Sequence, residues 1–76
     1  MPQRVIATAD TLGGKPRLDG TRISVEFILE LLASGASRLD ILDGYPQVTT
    51  EGLEAALSYA ARSMKNEALW DVKLPA

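Results

Sequence analysis

The 76 residues predict a mainly α fold, a three-helix, helix-turn-helix core preceded by a short β strand and a β-hairpin. Three observations predict it. Glycine and proline punctuate the first 24 residues, with Gly13-Gly14 and Asp19-Gly20 as turn signals. Two later stretches carry apolar residues at helical spacing. Each helical stretch opens on a serine or threonine, the residues that cap a helix N-terminus.

Residues 4–8 (Arg-Val-Ile-Ala-Thr) read as a short strand. Pro16-Arg17-Leu18, a turn at Asp19-Gly20, and Thr21-Arg22-Ile23 then read as a tight hairpin. Ser24 caps a first helix, which Gly35 stops at the usual C-terminal glycine position. In that helix Val25, Ile28, Leu29 and Leu32 form the main apolar stripe, and Phe27 and Leu31 add a second. Ser37-Arg38-Leu39-Asp40 has the form of a capping box and opens a short second helix, closed by Gly44 and kept from running on by Pro46. Thr49 or Thr50 caps the third helix, which continues to about Met64 with Leu53, Ala56, Leu57, Ala60 and Met64 as its core stripe. Gly52 in its first turn points to a frayed start or to a close backbone approach.

The chain reads as a single domain, with the β segment and hairpin in residues 1–24, the helical core in 25–64 and a tail in 65–76. With no cysteine and no histidine, neither a disulfide nor the commonest general base or transition-metal ligand is available. No apolar run approaches the roughly 20 residues a membrane span needs, and the N-terminus lacks the apolar core of a signal peptide. A cytoplasmic, non-membrane protein is the expectation. Glu26 with Glu30, and Glu51 with Glu54, share helix faces that suit a hard cation, yet no nucleophile and base accompany them. The expectation is a protein that is not an enzyme and uses no metal or cofactor. Tyr45 and Tyr59 are expected at the core edge.

Charge is divided unevenly. Residues 1–24 hold four cations against two carboxylates; residues 25–76 hold four against eight. Lys15, Arg17 and Arg22 gather on the hairpin as a basic finger for phosphate or for a partner's carboxylates. If the second and third helices form a helix-turn-helix, the third presents Thr50, Glu51, Glu54, Ser58 and Arg62 to a groove. One cation in that row is few for base readout.

The order Gly-Gly-Lys-Pro-Arg-Leu-Asp-Gly-Thr-Arg-Ile-Ser-Val, then Ile-Leu-Glu-Leu-Leu-Ala-Ser-Gly, Ile-Leu-Asp-Gly-Tyr-Pro and Leu-Glu-Ala-Ala-Leu-Ser-Tyr-Ala-Ala resembles the bacterial and archaeal family known as domain of unknown function 433, over about residues 5–63. The resemblance implies a homeodomain-like helix-turn-helix and the role of a virulence-associated-type antitoxin, encoded beside a PIN-like nuclease. Gly52 departs from the pattern, since the family commonly carries an acidic residue there that would complete a capping box with Thr49.

The leading expectation is therefore the antitoxin of a type II toxin-antitoxin pair that neutralises a PIN-like nuclease and binds its own operator. The alternative is a DNA-binding regulator with no toxin partner. Toxin contacts are expected from the hairpin cations, from Arg62, and from Lys65, Trp70, Lys73 and Leu74 of the tail, where Trp70 and Leu74 are apolar anchors. Trp70 has a second reading, folding back on the third helix. A homodimer is expected, with the β segment or the first helix at the two-fold and Val5, Phe27 and Leu31 in the interface.

Overall fold

The computed structural model describes residues 2–65. Its order is strand β1 (Val5–Ile6), strand β2 (Arg17–Leu18), then helices α1 (Val25–Ala33), α2 (Arg38–Gly44) and α3 (Thr50–Ser63). The strands pair antiparallel, with Val5 opposite Leu18 and Ile6 opposite Arg17. A one-turn 3₁₀ segment, Leu12–Gly14, lies between them, with positive φ at all three residues.

The expected hairpin turn is present. Thr21 N–H donates to Leu18 O (3.1 Å), and Gly20 (φ 80°) takes the left-handed position that a type II turn requires. The arm beyond the turn returns as irregular backbone: Leu18 N–H donates to Ile23 O (2.9 Å), and Arg17 forms an isolated bridge with Ser24. The regular pairing of residues 17–18 is instead with β1. Asp19 N–H extends that pairing by donating to Arg4 O (2.8 Å).

Local signals set the helix ends. The Ser24 hydroxyl accepts from Phe27 N–H (2.9 Å) and starts α1. At its other end Gly35 N–H donates to Leu32 O and Ala36 N–H to Leu31 O, both 3.0 Å, the paired bonds of a Schellman motif. The Ser37 capping box is complete, since its hydroxyl accepts from Asp40 N–H (3.0 Å) and its own N–H donates to the Asp40 carboxylate (2.9 Å). Thr49 caps α3 by accepting from Gly52 N–H (2.9 Å).

Helix α1 packs against α3 and α2, and α3 also lies on both strands. Leu18, Ile28, Ile41 and Leu53 are the largest fully buried side chains, one from β2 and one from each helix. Ile23, Val25, Val48 and Ala56 complete the core. Phe27 meets Tyr45 edge to face, with ring centroids 5.5 Å apart at 84°.

The two readings of Gly52 separate here. Gly52 is buried, and a Cβ at this position would collide with the Gln3 side chain, so the glycine marks a close approach. Gln3 Oε1 accepts from Thr49 N–H (3.0 Å) and from the Thr49 hydroxyl (3.2 Å). The N–H of an N-cap residue is the donor that an acidic side chain three residues on would satisfy in a capping box. Gln3 supplies that acceptor from the other end of the sequence. Its Nε2 donates to Asp19 O (3.1 Å) and Gln47 O (2.9 Å), tying the hairpin turn to the α2–α3 connection.

Candidate partner-binding surface

The three hairpin cations have different surroundings. Lys15 Nζ donates to a Glu26 carboxylate oxygen at 2.9 Å, an exposed ion pair onto the first turn of α1. That hydrogen bond first, then the Glu26 charge, raises the Lys15 pKa above its ordinary 10.5; slight desolvation works against this and Glu30 adds to it. Arg17 is half-buried and acts as a strut, its Nη1 donating to Thr21 O (3.0 Å) and its Nη2 to the Thr8 hydroxyl (3.1 Å). Its Nε is buried without a partner. Arg22 is exposed and has no hydrogen-bond or ion-pair partner among the described residues. It stands beside Arg17 in a shallow polar depression that Thr11, Gly20, Thr21 and Gln47 complete. No carboxylate lines that depression, so it is a cationic spot on an acidic protein.

On α3 the expected outward row is exposed, with Thr50, Glu51, Glu54, Ser58 and Arg62 all facing solvent. Glu54 is engaged there in an ion pair with Arg38 of α2. Arg62 sits in the last turn, where the helix dipole favours a cation. The residues expected at a dimer interface lie against the chain's own core: Val5, Phe27 and Leu31 are each half-buried and packed on it. Of the tail residues Lys65 is exposed, while Trp70, Lys73 and Leu74 lie outside the described residues.

A groove of about 360 Å³ was not anticipated from the sequence. Pro16, Val25, Leu29, Tyr59, Ala60 and Met64 give it apolar walls, and the ion-paired Lys15 and Glu26 also line it. Leu29 and Met64, assigned to core stripes by spacing alone, are 37% and 55% exposed here. Helical periodicity places them on the inner faces of α1 and α3, but the two helices leave a cleft toward the C-terminal end of α3. Gln3 and Gln47 were also missed, because their bonds span 44 and 46 residues or bridge loops. Among the described residues no group of three or more acidic, cysteine or histidine side chains is placed to hold a metal. No helix among them is long and apolar enough to cross a membrane.

A family model described as "Protein of unknown function (DUF433)" matches residues 5–60, and the chain belongs to that family. The chain is also similar to the crystal structure of a DUF433 member protein from Anabaena variabilis ATCC 29413, with a TM-score of 0.74 and 33% sequence identity. The match covers 76% of this chain and 57% of that one, so this chain spans little more than half the length of its relative. No curated protein matches the chain.

Proposed function

We propose that this DUF433 chain is a non-catalytic binding module, the antitoxin of a type II toxin-antitoxin pair that acts in the cytoplasm as a homodimer and neutralises a PIN-like nuclease. The reading starts from the family resemblance, and one observation carries it further: Arg22 is an exposed cation with no partner among the described residues, on a turn held from two sides. Gln3 and Arg17 clamp the backbone just ahead of Arg22, through Asp19 O and Thr21 O. A guanidinium on such a mount loses little freedom on binding.

A PIN-type active site clusters carboxylates around Mg²⁺. A guanidinium inserted there makes charge-assisted hydrogen bonds to those carboxylates and competes with both metal and substrate phosphate. Arg22 is the inserted group in this reading. Arg17 positions it, and Lys15 is held in reserve by Glu26. Arg62, Lys65 and the tail beyond add contacts from the α3 side. Coexpression with the product of the neighbouring gene, followed by pulldown on this chain, tests the reading. Capture of a nuclease that Arg22→Ala weakens is expected; recovery of this chain alone would refute it.

Operator binding through α2 and α3 is the second reading, favoured by the exposed Thr50, Ser58 and Arg62 on one helix. Gel shifts of the upstream DNA at rising salt test it, because phosphate-driven affinity must fall as salt rises.

A further inference from the structure

Two guanidinium groups, those of Arg17 and Arg22, line one shallow depression of about 470 Å³ that no carboxylate lines. Both stay charged at any physiological pH, so they repel each other across it. Arg17 Nε is in addition a buried donor without a partner, which is costly in a folded chain. A negative charge held between the two groups relieves both penalties. We propose that this depression binds one dianionic phosphate group, free or carried as a monoester. Where Arg22 also serves the nuclease contact, bound phosphate competes with it. The binding itself belongs to the isolated chain, so either can fail without the other.

The rest of the lining supplies donors from three separate segments. Gly20 and Arg22 lie on the hairpin turn, and the backbone N–H of each makes no hydrogen bond among the described residues. Gln47, on the α2–α3 connection, is exposed, and its side-chain amide is equally unengaged among them. The Thr11 hydroxyl has only a long 3.4 Å contact to Asp10 Oδ1. The Thr21 hydroxyl is already committed, donating to Leu18 O (2.8 Å) and accepting from Ile23 N–H (3.0 Å). Gln3 ties the turn to the connection through Asp19 O and Gln47 O, so little order is lost when a ligand bridges them. A carboxylate brings one charge and suits one guanidinium fork, whereas phosphate offers two charges and tetrahedral oxygens to both cations. An isolated phosphate also meets the basic head alone, while a long polyanion lays further charges against the acidic body.

Heteronuclear NMR of the full chain tests this, with inorganic phosphate, methyl phosphate, dimethyl phosphate and acetate as probes. Ionic strength is held constant with chloride, and the pH stays above the second pKa of the phosphates. Inorganic phosphate should give shifts that saturate at concentrations on the order of millimolar. They should be confined to residues 20–22, the Gln47 side-chain amide and the Arg17 Nε–H. Arg22→Ala should raise the half-saturation concentration roughly tenfold or more. Gln47→Ala, which keeps the backbone carbonyl that Gln3 uses, should raise it several-fold. Methyl phosphate binding as well as phosphate identifies monoesters as ligands, and its exclusion assigns the site to free phosphate. Acetate or dimethyl phosphate binding as tightly as phosphate would overturn the dianion assignment. Shifts that never saturate, that spread to Lys15 and Arg62, or that Arg22→Ala leaves intact in a folded chain would overturn the site itself.

Discussion

Gln3, half-buried near the N-terminus, carries more of the architecture than its place in the sequence suggests. It accepts at the start of α3 and donates to Asp19 O and Gln47 O. Gln3→Ala should cost about 1–2 kcal/mol in urea unfolding, the loss of a helix cap plus bridging hydrogen bonds partly replaced by water. Gly52→Glu restores a local capping box but drives a side chain into Gln3. It should destabilise the chain in the presence of Gln3 and do so less in the Gln3→Ala background, a coupling on the order of 1 kcal/mol in the double-mutant cycle. Equal costs in both backgrounds would mean that the two side chains do not compete. Arg17 and Arg22 separate in the same way. Arg17→Ala removes two hydrogen bonds from a half-buried strut and should cost about 1–2 kcal/mol, whereas Arg22→Ala should stay within about 0.5 kcal/mol. The sequence treats these arginines alike, five positions apart on one basic run. What distinguishes them is Thr8 and Thr21 O, contacts created only when the chain folds.

Helix ends were legible because their signals are local. Ser24, Ser37 and Thr49 cap as their spacing indicates, and Gly35 closes α1 within four residues of its partners. Strand pairing was less legible. Residues 17–18 find their regular partner at Val5–Ile6, across a loop whose closure no nearby residue announces. The capping box of α2 gives a prediction at this scale. The Ser37 backbone N–H, and after it the Ser37 hydroxyl, hold the Asp40 carboxyl below its ordinary 3.8 against slight desolvation. A carboxyl whose folded pKa is depressed stabilises the fold at pH values above its unfolded pKa, and that contribution is lost as pH falls through the folded value. Urea midpoints followed from neutral pH into the acid range should therefore fall below the ordinary carboxylate pKa, and Asp40→Asn should flatten part of that fall. An unchanged acid limb in the variant would assign the loss to other carboxylates.

For the molecule as a whole, charge separates the two proposed partners. A basic head with one uncommitted arginine on its turn, joined to an acidic body, is attracted to a carboxylate cluster through the head and repelled from a phosphate backbone by the rest. The proposed nuclease complex and the proposed operator complex should then respond differently to salt. On DNA, log affinity falls with log salt at a slope of about −0.9 per phosphate neutralised. With Arg22 and Arg62 as the contacts, the slope should be about −2 per chain, and binding should be weak near physiological salt. In the nuclease complex Arg22 would be desolvated among carboxylates, where screening acts less than on exposed charges, so capture should persist at salt concentrations that release the DNA. Arg22→Glu reverses the charge on the hairpin turn while leaving the fold unperturbed. Titration of the variant against the nuclease should show binding reduced by at least an order of magnitude, because a carboxylate placed among carboxylates is repelled where a guanidinium was held. Wild-type affinity in that titration, from a folded variant, would remove the hairpin from the interface and leave the α3 end of the molecule as the toxin-binding surface.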